Sequence, residues 1–346
     1  DWSEASKPAI AWLRETPHRL SLGRVSLDLR SRRGTPAKFA DLSDTRQTLD
    51  MWSGTLSSRF TFEGKEVQVE TRMHPRLDML IVTLRSSSLV SGRLGLNLKF
   101  PGVAAKLNPD PADWQHPERH RTVVVSRGSR ELALERQLDD TRYFVKARAD
   151  RDVTFRQDGP HAFRIVPGGK TADAMTVMVL FSENPADSEL PDADTARADV
   201  AAHWESYWTS GGAVDFSGST DPRAKELERR VVLSQYLMAL NAAGTLPPQE
   251  EGLFSNSWNG KFHLEMHLWH SALFALWGRP ELLERSMSWY LGHLPEAKQR
   301  AARHDIRCAQ RQFGYRSSAQ CIAERVAHGF MHQRLFAESH LCLRGV

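Results

Sequence analysis

The chain has 346 residues, 40% hydrophobic and 25% charged, with a formal net charge of +4. This length allows two domains or one large one, and the apolar fraction is sufficient for buried cores. Acidic and basic residues are interspersed, which argues against a nucleic-acid partner. The sequence contains no run of about 18 apolar residues, so no segment is predicted to span a membrane.

The three cysteines, Cys308, Cys321 and Cys342, are spaced unlike a zinc site. They imply no disulfide framework, and no motif indicates a cofactor. The first residues do not resemble a signal peptide, and because no initiator methionine is present, cytoplasmic and exported locations both stay open. The sequence is also compatible with a homo-oligomer.

The first 183 residues have the pattern of β-structure. Several short segments alternate apolar and polar residues with period two, and turn residues such as Gly64 and Gly92 separate them. The predicted strands cover residues 58–63, 66–72, 79–85, 94–100, 122–126, 143–147, 162–166 and 175–181. Residues 22–29 favour a further strand, and Trp12-Leu13 a short helix. Together they predict a domain that is a large antiparallel β-sandwich.

Residues 184–220 are predicted to be a linker that contains one helix. Proline, aspartate, alanine and serine dominate up to about Arg197, and residues 198–208 then have helical spacing. The helix carries the aromatic cluster His203, Trp204, Tyr207 and Trp208. Packing between domains explains this cluster better than ligand binding does.

Residues 221–304 are predicted to be helical. Thr220-Asp221-Pro222 favours a helix start, and this helix extends to about Asn241. After the central stretch described next, helices are expected over 281–293 and 296–303, with a turn at Leu294-Pro295. Residues 305–346 form an atypical tail with a weak apolar pattern.

The central stretch, residues 258–277, contains two apolar stripes at helical spacing. One consists of Leu264, Leu268, Ala272 and Ala275, and the other of Phe262, Met266, Trp269, Leu273 and Leu276. A helix that is apolar on two sides is expected to be buried on two sides. Titratable groups nevertheless crowd its start, and buried polar groups require partners. This conflict makes the stretch the best candidate for a functional site.

Three candidate substrate-binding residues of the stretch are not histidines. Glu265 is suited to accept hydrogen bonds from sugar hydroxyls, or it is a carboxylate that the helix dipole favours. Trp258 could stack on a pyranose or pack in a core. Lys261 could bind a hydroxyl or a phosphate, or be solvated. The loop carboxylates Glu250 and Glu251 could line the same site, although most loop acids are only solvated.

Three histidines, His263, His267 and His270, complete the candidate substrate-binding set. Their spacing of four and three residues puts them near one helix face, which permits the hypothesis that they bind a metal ion. No fourth ligand and no HExxH motif accompanies them, so no metal is predicted. They are either hydrogen-bond partners of the substrate or buried histidines with satisfied ring nitrogens.

Residues Gly260-Lys-Phe-His-Leu-Glu-Met-His267 and Leu294-Pro-Glu-Ala-Lys298 resemble the first barrel helices of glycoside hydrolase family 65 and its six-hairpin relatives. Residues 47–54 and Thr71-Arg-Met-His-Pro75 are similar to the sandwich domain of that family. The resemblance implies a supersandwich-like domain, a helical linker and the first helices of an incomplete (α/α)6 barrel, in this order.

The resemblance places Glu265 where the family has the acid that holds the sugar in the cleaved-bond subsite. Leu264 and His267 depart from the tryptophan and glutamate of the family pattern. The general acid of the family lies in a later hairpin, so the resemblance implies that it is missing from this chain.

Two functions from different classes remain open. The first is an inverting glycoside hydrolase or phosphorylase, in which water or inorganic phosphate attacks the face opposite the leaving group of an oligosaccharide or disaccharide. Its partners would be a carbohydrate and, for a phosphorylase, phosphate. The second is a non-catalytic carbohydrate-binding or interaction module, which needs no second acid.

Overall fold

A computed structural model describes residues 7–8, 21–104, 112–168, 173–185, 189–253, 262 and 266–303. The chain divides into two compact units, Asp1–Thr209 and Ser210–Val346. The predicted helix at Trp12-Leu13 and the predicted tail from residue 305 lie outside the described residues.

Fourteen strands form within the described part of the first unit. They are β1 Arg24–Leu29, β2 Leu42–Asp50, β3 Thr55–Phe62, β4 Lys65–Met73, β5 Met79–Arg85, β6 Leu94–Lys99, β7 Gly102–Val103, β8 Ala112–Asp113, β9 His120–Arg127, β10 Glu131–Leu138, β11 Thr141–Ala149, β12 Val153–Gly159, β13 Ala162–Pro167 and β14 Ala174–Ser182. The eight predicted strands and the strand favoured at 22–29 are all present, so the period-two pattern is confirmed.

The strands assemble into two main sheets in which every pair is antiparallel. The larger sheet has the order β2-β3-β4-β5-β14-β11-β10-β9, and the smaller has the order β1-β6-β13-β12. One hydrophobic core draws on both sheets, because Leu134 and Val177 of the large sheet and Leu96 and Ile165 of the small sheet are buried together. Two sheets that share a core form a β-sandwich, as the sequence predicted.

The aromatic helix, α1 Ala193–Thr209, belongs to the first unit and packs against β4, β5 and β14. It begins five residues earlier than predicted, because Asp192 accepts hydrogen bonds from the backbone N–H groups of Asp194 and Thr195. Trp204, Tyr207 and Trp208 are buried, which agrees with a packing role.

The second unit contains three helices among its described residues: α2 Ala224–Ala242, α3 Met266–Leu276 and α4 Pro280–Arg303. Helix α3 packs against α2 and α4. Gly278 has a φ of 67°. This left-handed conformation lets the chain leave α3 at Leu276 and enter α4 at Pro280. None of the helices in the described ranges is both long and apolar enough to cross a membrane.

The prediction of a turn at Leu294-Pro295 is wrong, because α4 runs without interruption through Pro295. A proline inside a helix removes one backbone hydrogen bond, the one to the carbonyl of Leu291. Leu291 is half-exposed, at 50%. The loss of this single bond does not break the helix.

The prediction that the central helix is buried on two sides is also wrong for its described residues. Helix α3 buries His267, Ser271, Ala272 and Phe274, whereas Trp269 and Leu276 are 67% and 69% exposed. Helices α2 and α4 both pack against α3, yet each predicted stripe keeps exposed residues: Leu268 and Ala275 in the first, and Trp269 and Leu276 in the second. Trp269 and Leu276 form the exposed α3 patch.

Candidate functional site

The first turn of α3 holds His267 in a continuous chain of hydrogen bonds to α4. His267 Nε2 lies 2.9 Å from Ser286 Oγ. Ser286 donates its own hydroxyl hydrogen to the carbonyl of Leu283, so its oxygen accepts from the imidazole N–H. His267 Nδ1 is then the acceptor of the Tyr290 hydroxyl, at 2.8 Å. Both ring nitrogens are thus satisfied within the second unit.

Burial keeps the side chains of His267 and Tyr290 uncharged near neutral pH. Desolvation lowers the pKa of His267 to about 4, and the neighbouring His270 adds to the shift. The same cause raises the pKa of Tyr290 to about 12. Near neutral pH the histidine therefore carries no charge, and its hydrogen bonds link α3 to α4.

Aromatic rings extend the cluster along α4. Trp289 stacks on His293, with ring centroids 4.0 Å apart and an interplanar angle of 22°. Phe262, just before α3, meets the face of Trp289 edge-on at 4.8 Å. The Tyr290 ring is parallel to that of His267 within 19°. This aromatic cluster secures the point at which the chain enters α3.

His270 lies one turn further along α3 and is less completely satisfied. Desolvation lowers its pKa, while Glu250 opposes the shift through its charge and a backbone hydrogen bond. Its Nδ1 atom is buried and has no hydrogen-bond partner in the described part of the chain. A buried polar atom without a partner is costly.

The structure describes two of the six candidate substrate-binding residues, His267 and His270, and places them on the α3 face that is turned to its neighbours. Trp258, Lys261, His263 and Glu265 lie outside the described residues, so their role stays a prediction. The hydrogen bonds of His267 agree with the alternative of a satisfied buried histidine. In the described ranges no group of three His, Cys, Asp or Glu residues could hold a metal ion.

Sequence reasoning missed the α4 side of the cluster, which consists of Ser286, Trp289, Tyr290 and His293. A signal was present, since Ser286 and Tyr290 are four residues apart and share one helix face. A serine and a tyrosine on the apolar side of a predicted helix indicate a buried polar partner.

The fold defines the class of this protein as an antiparallel β-sandwich followed by α-helices. A solved structure described as a kojibiose phosphorylase from the human microbiome has this fold, with a TM-score of 0.58 and 11% identity over 83% of this chain. A bacterial glucoamylase complexed with acarbose gives a TM-score of 0.45 and 10% identity over 72% of this chain. An inverting mannosidase of family GH92 from Bacteroides thetaiotaomicron gives 0.31 and 8% over 55%.

No protein-family model matches this chain, and no curated protein matches it. The first two of these structures are much longer, because the chain spans 41% of the phosphorylase and 42% of the glucoamylase. At 11% identity the similarity to the phosphorylase shows a shared fold. A shared fold does not by itself imply a shared reaction.

Proposed function

We propose that this chain is the substrate-positioning part of a carbohydrate-active enzyme of the six-hairpin glycosidase type. The observation that carries the proposal is the hydrogen-bonded cluster of His267, Ser286 and Tyr290. It secures the start of α3 directly after a segment rich in sugar-binding residue types. The fold shared with a protein described as a kojibiose phosphorylase supports the same conclusion.

In this proposal the residues that contact the sugar come from the segment before α3. Glu265 accepts two sugar hydroxyls, Trp258 stacks on the pyranose face, and Lys261 and His263 donate hydrogen bonds. His270 completes the proposed set, and its buried Nδ1 must be uncovered before a sugar hydroxyl can reach it. His267 acts as a positioning residue, since its two ring nitrogens are engaged by Ser286 and Tyr290.

The reaction of the whole enzyme is cleavage of a glycosidic bond with inversion, by water or by inorganic phosphate. Inverting sites separate their two acids by about 6.5–9.5 Å to admit the attacking molecule. We propose that the general acid is supplied from outside these residues and that the helices belong to an (α/α)6 barrel. The substrate is an oligosaccharide or disaccharide, with kojibiose as the first candidate.

A turnover assay tests the catalytic half of the proposal. The purified chain is incubated with kojibiose and other glucose disaccharides, with and without inorganic phosphate, and release of glucose or glucose 1-phosphate is measured. We expect no turnover above a blank. Turnover that the substitution Glu265→Gln abolishes would show that the chain holds a complete active site.

A fluorescence titration tests the binding half. Disaccharide should shift the tryptophan emission of the full chain, and Trp258→Ala should abolish this shift. Trp269→Ala is the matched control, because the side chain of Trp269 is 67% exposed and lies on the surface of α3. Loss of the shift in the control alone would assign binding to the exposed α3 patch and favour the non-catalytic module.

A further inference from the structure

The outer face of the small sheet carries polar side chains in register. Antiparallel pairing places Arg164 of β13 beside Asn97 of β6. Asp28 of β1 is paired with Gly95, two residues from Asn97 on the same face. The intervening residues, such as Leu96 and Leu98, are buried in the sandwich core. The polar set therefore faces away from the core.

A cavity of about 480 Å³ includes Asp28, Asn97 and Arg164 of this face in its lining. The lining also includes residues 36–39, and Leu42 and Phe60, which belong to the core or pack against it. Small-molecule sites commonly measure about 300–1,000 Å³ and combine apolar walls with a few polar groups. The cavity is therefore larger than a single inorganic anion requires and suits a sugar.

An ion network around the buried carboxylate of Asp28 lines the cavity. Asp28 is 4% exposed and accepts hydrogen bonds from Arg30 Nε at 3.0 Å and Arg164 Nη1 at 3.2 Å. Asp158 Oδ2 lies 2.7 Å from Arg164 Nε, a charge contact without the alignment of a hydrogen bond. These contacts hold the two guanidinium groups in place and neutralise both carboxylates of the lining.

The rim of the cavity carries two exposed lysines. Lys38 and Lys99 line the cavity and are exposed, and neither forms an ion pair with any residue in the described ranges. The titratable lining comprises four cations and two carboxylates. Phe39 is also at the rim and is 81% exposed. An exposed aromatic ring beside free ammonium groups matches an apolar sugar face next to an anionic group.

We propose that this cavity binds a pyranose that carries one negatively charged substituent, a phosphate ester or a carboxylate. Lys99 and Lys38 contact the anionic group, Phe39 stacks on the ring, and Asn97 contacts a hydroxyl. The site lies entirely within the first unit, and none of its lining residues belongs to the segment before α3. It is independent of the proposed catalytic function.

Calorimetric titration of the full chain tests the proposal with four probes: glucose 6-phosphate, glucuronate, glucose and inorganic phosphate. We expect at least one of the two charged sugars to bind about tenfold more tightly than glucose and inorganic phosphate, because a charged hydrogen bond adds to sugar stacking. The tighter of the two charged sugars identifies the substituent. Raising the salt concentration should weaken this binding.

Variants locate the binding. Lys99→Met should weaken binding of the preferred charged sugar about tenfold, and Lys38→Met should weaken it as a second, independent change. Lys65→Met is the matched control, since Lys65 is an exposed lysine of the same unit outside the cavity. Glu265→Gln should leave this binding unchanged, which separates its outcome from that of the proposed catalytic site.

Three results would overturn the proposal. The first is that neither charged sugar binds at concentrations on the order of 10 mM. The second is that Lys99→Met and Lys38→Met both leave binding intact. The third is that inorganic phosphate binds as tightly as glucose 6-phosphate. The last result would reduce the cavity to a simple anion site.

Discussion

Tyr290 donates a hydrogen bond to His267 from α4 to α3, with 2.8 Å between Oη and Nδ1. The opposite nitrogen of the ring donates to Ser286 Oγ, whose hydrogen is committed to the carbonyl of Leu283. With the Ser286 hydroxyl hydrogen assigned to the carbonyl of Leu283, the direction of every other bond in this chain follows. A buried imidazole with two fixed partners holds the two helices in one register and position.

Removal of the Ser286 hydroxyl should destabilise the second unit. Ser286→Ala leaves the buried N–H of His267 without an acceptor, which costs about 1–3 kcal/mol of unfolding free energy. Ser288→Ala is the matched control, since Ser288 is exposed on the same helix, and its cost should stay within about 0.5 kcal/mol. Urea denaturation of both variants measures the difference, and equal costs would contradict the hydrogen-bond chain.

The second unit should lose stability as the pH falls from about 6.5 to 4. The unfolded state binds a proton on His267 near pH 6.5, whereas in the folded state the pKa is lowered to about 4. Protonation therefore favours unfolding within this window and has no further effect above it. The loss is about 2–3 kcal/mol after solvent screening. His267→Gln should flatten this part of the curve of unfolding free energy against pH.

Arg136 should be irreplaceable by lysine. It is fully buried, and its guanidinium donates to the carbonyls of Pro101 and Arg121 and to His120 Nδ1. A lysine has the charge but not the planar set of donors, so Arg136→Lys should cost on the order of 3 kcal/mol. Arg33→Lys, at an exposed position, should cost less than about 0.5 kcal/mol. Thermal unfolding of the two variants distinguishes these outcomes.

Gly54 should be required for the docking of α1. It has a φ of 61°, and a Cβ atom there would overlap the indole of Trp204. Gly54→Ala should cost about 2–4 kcal/mol, because a steric clash adds to the backbone strain. Gly64 has a similar φ of 72° with open space around it. Gly64→Ala should therefore cost only about 1 kcal/mol, and equal costs would mean that Trp204 can move aside.

The sequence predicted the sandwich because strands such as β11 and β13 bury alternate residues. Strand β2 was missed because its residues are exposed almost throughout, so no alternation marks it. Strand β10 was missed for another reason. Its residues ELALERQL favour helices locally, although Leu132, Leu134, Arg136 and Leu138 point inward at period two. Tertiary pairing with β9 and β11 overrides that local preference.

The site could be predicted only in part. Histidines near the start of α3 drew attention as polar groups on an apolar helix, and His267 is indeed buried. Its partners on α4 come 19 and 23 residues later, and no local pattern connects them to α3. The cavity on the small sheet is formed by residues from distant strands, so its lining could not be read from the sequence at all.

The most direct test of the central claim is a calorimetric titration of the full chain with kojibiose, comparing Glu265→Gln with Glu281→Gln. Glu281 is an exposed carboxylate in the first turn of α4 and serves as the matched control. We expect the unmodified chain and Glu281→Gln to bind the disaccharide equally, and Glu265→Gln to bind it about tenfold or more weakly, because a charged acceptor is lost. Equal binding by all three proteins, or none by any, would contradict a sugar-positioning site at the start of α3.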